Sequence, residues 1–204
     1  PDQIYSWSDA NKTTPKTSAP ALSETIELFR PYVEEGRNIV CFSISNSMSS
    51  SGNVMQLAAE ELNAQDLITV IDSANLSTGI GLLVIEAAIL AQNNKTAAEI
   101  SVAVENLKPY VRASFVVDTL TYLHRGGRCS AIAAMAGGLL KLHPQIIVEH
   151  GAMKPTKKYR GKMDSVILSY VKDMEPALKH ARPDRVFITH SGCEPTIINA
   201  VRSY

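Results

Sequence analysis

Hydroxyl side chains crowd two short stretches of this chain, Thr17-Ser18-Ala19-Pro20 and Ser45-Asn46-Ser47-Met48-Ser49-Ser50-Ser51-Gly52. Each precedes a helical pattern, and the second follows an apolar run. A helix start exposes backbone N–H groups with no intrahelical partner at the positive end of its dipole, and short hydroxyls beside it add donors without adding a formal charge. Together they make a pocket for a small anion, either a carboxylate or a phosphate. A single serine in such a place is ordinarily a cap. Five serines between Ser45 and Ser51 exceed what one cap requires, and they fall at the carboxyl end of a strand, where open α/β sheets bind ligands.

Other chemistries find less footing. Gly-x-Ser-x-Gly is absent and no nucleophile–base pair emerges from the spacing, which argues against serine hydrolysis. Gly52 is not followed by the Gly-Lys pair of a phosphate-binding P-loop. A small-molecule enzyme that clamps a phosphorylated or carboxylated metabolite with the Ser loop remains the alternative to a binding protein. Cys41, Cys129 and Cys193 are far apart and never in a Cys-x-x-Cys arrangement, so neither a disulfide framework nor a zinc site is expected; a reducing cytoplasm fits. His190, beside Ser191-Gly192, is the histidine best placed for chemistry, although a surface or capping role explains it as well; His150 marks a turn. Lys154, Lys157, Lys158, Arg160 and Lys162 form the one basic run and read as a solvated strand edge, with docking to an acidic partner the minority reading.

Twenty basic and twenty acidic residues cancel, so the chain as a whole has no excess charge with which to attract nucleic acid. With 45% hydrophobic residues over 204 positions it can bury a substantial core. The most apolar stretch, Gly79 to Ala91, is interrupted by Glu86 and is too short to cross a bilayer; it reads as a core helix, and no stable membrane insertion is expected. No secretory leader opens the sequence given.

The elements that must hold the two clusters follow from periodicity. Residues 1 to 20 read as an irregular lead-in. Leu22, Ile26 and Phe29 recur at helical spacing, with Ser23 as N-cap and Gly36 as the stop. Asn38 to Ile44 and Leu67 to Asp72 are strands of the buried, parallel kind, each followed by a helix, Val54 to Leu62 and Gly79 to Ala91. Thr96 and Glu99 form a capping box for a helix reaching Tyr110. Strand–helix alternation gives a doubly wound parallel α/β domain over residues 1–110, carrying the anion pocket. From Val111 the pattern changes to an α/β domain with a mixed or antiparallel sheet, residues 111–204. It comprises a strand at Ala113 to Val117, a short helix at Thr119 to His124, an Arg125-Gly126-Gly127-Arg128 turn and a helix from Ser130 to Leu142. A hairpin folded at His150-Gly151 follows, then a helix from Asp164 to Leu178 and a strand from Arg185 to His190.

The order of motifs resembles the DegV family of bacterial fatty-acid-binding proteins. The matching pieces are Lys16-Thr17-Ser18-Ala19-Pro20, Ile44-Ser45-Asn46-Ser47-Met48-Ser49, Val70-Ile71-Asp72-Ser73, Gly79-Ile80-Gly81-Leu82-Leu83, Phe115-Val116-Val117-Asp118-Thr119-Leu120 and Tyr122-Leu123-His124-Arg125-Gly126-Gly127-Arg128. The resemblance implies two α/β domains, with the second, 111–204, covering the acyl chain of a bound long-chain fatty acid such as palmitate. It implies a carboxylate held by Thr17 and Ser49, with Ser18 and Arg128 in supporting places. It also implies a lipid-transport or presentation role with a fatty acid kinase as partner, no catalytic residue and no cofactor besides the ligand. The chain departs from the family pattern at Ser49-Ser50-Ser51, where Ser-Gly-Thr is usual, and at Ala21, where Ser is usual. The family's opening strand and its closing His-containing Gly-Pro-Gly segment have no counterpart in this sequence.

Overall fold

The computed structural model describes residues 2–127 and 142–204. Residues Thr17–Ala113 together with Val148–Ala152 make one compact unit; residues 2–16, 114–127, 142–147 and 153–204 make another.

The first unit is built on a parallel pair, β1 (Ile39–Ser43) and β2 (Ile68–Asp72), registered Ile39 to Ile68 and Ser43 to Asp72. Successive side chains of a strand face opposite ways, and here both ways are apolar. On one face Ile39, Cys41, Ile68 and Val70 meet α2 (Leu22–Glu34) and α3 (Ser51–Glu61) through Phe29, Ala58 and Ala59. On the other, Val40, Phe42 and Ile71 meet α4 (Thr78–Gln92) and α5 (Ala97–Leu107) through Leu83, Ala87, Ile100 and Val104. Helices on both faces of a parallel sheet give the doubly wound arrangement expected from the alternating elements. The α2 stripe Leu22, Ile26, Phe29 and Val33 lies along the small residues of α3 for its whole length. Burying a ring such as that of Phe29 is worth roughly 1.5–3 kcal/mol.

Local signals explain the ends of these helices. Gly36, at φ +67°, closes α2: its N–H reaches the Val33 carbonyl (2.9 Å) and Arg37 N–H reaches Tyr32 (2.9 Å). The N-cap of α2 is Ala21 rather than Ser23, which lies inside the first turn. Ala21 N–H donates back to Glu24 Oε2 (3.3 Å), so the third helical residue does what a capping hydroxyl would otherwise do. The Thr96–Glu99 capping box forms as expected, each residue accepting the other's backbone N–H. In α4 the expectation of a core helix holds for one face only; Val84, Ile85 and Ile89 on the other are 36–41% exposed.

In the second unit an antiparallel pairing of β3 (Ser114–Val116) with β4 (Leu142–Glu149) sets Phe115 against Ile146, and β5 (Ala152–Arg160) lies beside β4 in the order β3-β4-β5. The tip between β4 and β5 belongs to the first unit: His150 and Gly151, at φ +50° and +75°, form the two-residue turn whose twist suits a tight hairpin. Lys154, Lys158, Arg160 and Lys162 are exposed at that margin, while Lys157 pairs with Asp173 and covers the Tyr159 ring. The helices are α1 (Asp2–Asn11), α6 (Thr121–Arg125), α7 (Met163–Leu178) and α8 (Pro195–Ser203).

Two expectations are corrected here. Residues 2–11 are helical rather than irregular. This helix buries a polar residue, Ser8, whose carbonyl and hydroxyl take hydrogen bonds from Arg125 Nη1 (3.1 and 3.0 Å), while Asp9 pairs with the same nitrogen (3.0 Å) and with Tyr122. Residues 185–190 are not a strand. None of them is assigned to a strand, and Val186, Phe187 and Ile188 are 47–49% exposed; β propensity alone does not make a strand. Most of the expected Ser130 to Leu142 helix lies outside the described residues.

Candidate functional site

Two loops leave the carboxyl ends of β1 and β2, and their backbones are stitched together before any ligand is considered. Ser45 N–H donates to the Asn75 carbonyl (2.9 Å) and Ser73 N–H to the Ser43 carbonyl (3.2 Å). The Asp72 carboxylate accepts from the N–H groups of Ala74 (2.9 Å) and Asn46 (3.3 Å). Asn75, 3% exposed, accepts Leu76 N–H on its Oδ1 (3.0 Å) and donates its Nδ2 to the Val111 carbonyl (3.4 Å). Lys108 Nζ donates to the Asp72 carbonyl (2.9 Å) while paired with Glu105 (2.6 Å). Nothing in the sequence singles out the parts that Asn75 and Lys108 take here. An Asn or Lys gives no local sign of a partner thirty-six residues away.

The five serines divide. Ser45 is buried, accepts Ser47 N–H (3.3 Å) and shares a hydroxyl–hydroxyl bond with Ser47 (3.1 Å); Ser47 in turn donates to the Gly151 carbonyl at the hairpin tip. That first pair anchors the loop. Ser49 and Ser51, both half-buried, repeat the local pattern: Ser51 N–H donates to Ser49 Oγ (3.2 Å) and the hydroxyls lie 2.8 Å apart. Ser50 is the α3 N-cap residue but makes no side-chain capping bond. Among the described residues the N–H groups of Gly52 and Asn53, the next in the helix, have no acceptor. A β carbon at Gly52 would stand 2.9 Å from Ser43 Oγ and 2.5 Å from Asn46 Oδ1, so glycine is what allows α3 to begin this close to the strand. Ser43 is 1% exposed, and its hydroxyl is buried without a partner among the described residues.

Thr17 and Ser18 lie exposed in the irregular segment that leads into α2. Because α2 hands the chain to β1 through the Gly36 turn and packs along the sheet, it runs antiparallel to β1 and starts at the end where β1 finishes. The α3 start is at that same end. Connectivity thus starts both α2 and α3 at the carboxyl edge of the sheet, and Thr17 and Ser18, ahead of α2, belong to the same unit as the Ser loop. Arg128 lies outside the described residues, and His190 sits exposed in the segment that is not a strand. No group of three or more His, Cys, Asp or Glu side chains that could hold a metal occurs among the described residues, and no helix among them is long and apolar enough to cross a membrane.

In chemical terms the edge is rich in uncharged donors. Its hydrogen-bond donors could hold one small anion, and among the described residues none of the serines there is hydrogen-bonded to a general base.

Comparison with known proteins gives the chain a family and a fold likeness. The family model described as "Uncharacterised protein, DegV family" matches residues 1–204. A DegV domain-containing protein of Clostridium acetobutylicum is 31% identical over 173 residues, covering 84% of this chain and 62% of the relative. The chain thus spans about 62% of that relative's length. Among solved structures, a stearic-acid-binding protein from Eubacterium ventriosum superposes with a TM-score of 0.74 at 27% identity, covering 88% of this chain and 64% of that one. A fatty-acid-binding DegV family protein from Thermus thermophilus also reaches 0.74, at 25% identity, covering 88% and 61%.

Proposed function

The chain belongs to the DegV family, and from that premise we propose that it binds a long-chain fatty acid, holding the carboxylate at the hydroxyl-rich edge with Thr17 and Ser49, assisted by Ser18 and Arg128. The observation that carries this reading is the second serine pair, left at the start of α3 after the first pair is consumed in anchoring the loop. An isolated carboxylate removed from water is heavily penalised, and hydroxyl and helix N–H donors offset that penalty while fixing which end of the ligand they meet. The tail supplies affinity: at roughly 0.8 kcal/mol per methylene, about fifteen of them offer on the order of 12 kcal/mol before the costs of association. The exposed apolar face of α4, Val84, Ile85 and Ile89, is hydrocarbon surface of the kind such a tail covers. A site of neutral donors with no nucleophile–base pair suits a carrier, and a fatty acid kinase acting on the presented carboxylate is the partner this reading expects.

Native mass spectrometry tests it. Purified protein is expected to carry heterogeneous acyl mass, and Thr17→Ala combined with Ser49→Ala to keep the circular dichroism spectrum while losing most of that mass. Unchanged acyl retention in the double variant refutes the assigned roles.

A further inference from the structure

We propose that Asn75, its amide seated on Gly79 at the start of α4, is a positioning residue for fatty acid binding: it sets the Ser loop in place from the neighbouring turn. This rests on the fatty-acid reading above and adds to that site a residue that belongs to neither hydroxyl cluster.

All four polar atoms of Asn75 are engaged within the first unit. Its N–H donates to Ser73 Oγ (3.1 Å), and its carbonyl accepts from the Ser73 hydroxyl (3.2 Å) and from Ser45 N–H (2.9 Å). Oδ1 accepts Leu76 N–H (3.0 Å) and Nδ2 donates to the Val111 carbonyl (3.4 Å). A peptide N–H can only donate and a carbonyl can only accept, so these partners fix which way round the amide sits. The residue is 3% exposed, so its effect on a ligand passes through what it holds. What it holds is the first residue of the Ser loop. The Ser45 carbonyl in turn takes the N–H groups of Met48 (2.9 Å) and Ser49 (3.2 Å). Two consecutive backbone hydrogen bonds thus run from Asn75 to Ser49.

The amide occupies a place prepared for it. A β carbon at position 79 would stand 2.1 Å from Asn75 Oδ1, 2.5 Å from its Cγ and 3.1 Å from its Nδ2, and these are the nearest atoms there. The absent side chain of Gly79 is therefore the seat of the Asn75 amide. On either side of Asn75 the backbone is strained: Ala74 has φ +50° and Ser77 has φ +49°. Residues with a β carbon stay in that region only where their surroundings hold them, and such strain gathers at sites that must be pre-organised. Bonded to Val111 at one end and to Leu76 at the other, the amide is the wedge between the two strained residues. Without it the turn relaxes, and the carbonyl that fixes Ser45 moves with it.

The test measures palmitate affinity of the delipidated full chain by competition with a fluorescent fatty acid, together with the thermal midpoint. The variants are Asn75→Ala, Gly79→Ala, Gly81→Ala and the Asn75→Ala/Gly79→Ala double. Asn75→Ala removes the amide and Gly79→Ala evicts it, so each is expected to lower the midpoint and to weaken palmitate about tenfold, the effect of about one hydrogen bond. Gly81→Ala adds a carbon with no atom within 4 Å and should stay within about twofold of wild type. In the double variant the new methyl group fills the room the amide left, and alanine suits a helix better than glycine. Its midpoint should recover toward wild type while palmitate stays about tenfold weak, because the lost hydrogen bonds are not restored. Affinity that recovers along with the midpoint reduces Asn75 to a structural role and overturns the proposal. Losses that add to about a hundredfold, or a midpoint that does not recover, overturn the seating of Asn75 on Gly79. Wild-type protein that binds no palmitate sinks the fatty-acid reading itself and this inference with it, whereas wild-type binding with a silent Asn75→Ala sinks this inference alone.

Discussion

Gly151 holds the Ser loop by its backbone alone, and replacing its hydrogen with a methyl group has a cost that the structure allows to be worked out in two parts. The first is conformational. Gly151 has φ +75°, where an L side chain meets its own backbone at roughly 1–2 kcal/mol. The second is steric: a β carbon there would stand 2.5 Å from Ser45 Oγ, a hydroxyl on a buried residue already fixed by bonds to Ser47. Forcing an extra carbon into such a place costs typically about 1–3 kcal/mol. Gly36 separates the two parts, because it has nearly the same backbone, φ +67°, and no atom within 4 Å of the added carbon. Gly36→Ala therefore bears the conformational cost only.

Gly151→Ala is expected to destabilise by about 2–5 kcal/mol and Gly36→Ala by about 1–2 kcal/mol, measured by urea unfolding of the full chain. Ser45→Ala relieves the collision while losing its own hydrogen bond, worth about 1 kcal/mol. In the Ser45→Ala background Gly151→Ala should thus cost no more than Gly36→Ala does in the wild type. The coupling in that cycle should favour the double variant by about 1–3 kcal/mol, within the range observed for residues in contact. Equal losses for the two glycines, or a cycle with no coupling, would refute the idea that the hairpin tip is pressed against Ser45.

Two further outcomes follow from charge and burial. Glu99 accepts hydrogen bonds from Lys95, from Thr96 N–H and from the Thr96 hydroxyl, which hold its carboxyl down at about 2, well below the usual 4.5. Its folded-state value is depressed, so its contribution is fully present above pH 4.5 and is lost as pH falls from there toward 2. Glu99→Gln should flatten the pH dependence of the thermal midpoint in that window and leave its slope near neutrality unchanged; an unaltered acid limb refutes the assignment. Burial between β1 and the helices pushes the Cys41 thiol up to about 11, and its Sγ–H points at the Thr69 carbonyl (3.6 Å). Since the thiolate is the reactive form, peptide mapping after iodoacetamide treatment at pH 8 should find Cys41 unlabelled in native protein and labelled in 6 M urea; labelling at the rate of an open thiol in the native state refutes it.

Elements whose causes lie within a few residues were legible from the chain alone. The β1 and β2 runs, the α2 stripe ending at Gly36, the Thr96–Glu99 box and the His150-Gly151 hairpin each carry their physical reason in adjacent positions. The failures have distant causes. Nothing in residues 2–11 announces a helix, because its buried residue is Ser8 and its principal partner, Arg125, is 117 positions away. Val186 to Ile188 carry strand propensity, but pairing is a property of two segments and only one of them was in view. Ser23 was a reasonable cap by type, yet Glu24 made a hydroxyl unnecessary by reaching back to Ala21.

The site shows the same division more sharply. Five serines at the end of a strand carried the expectation of an anion-binding loop, but composition treats them as equivalent, and they are not. Ser47 is committed to a carbonyl 104 residues further on, and Ser45 to Ser47, so two hydroxyls that look available are already spent on architecture. Gly52 lets a buried hydroxyl and a helix start approach to a distance no side chain would permit, which its sequence neighbours do not reveal. What distinguishes the second Ser-x-Ser unit from the first is therefore not its own residues but its surroundings: among the described residues no carbonyl takes the Ser51 hydroxyl as the Gly151 carbonyl takes that of Ser47.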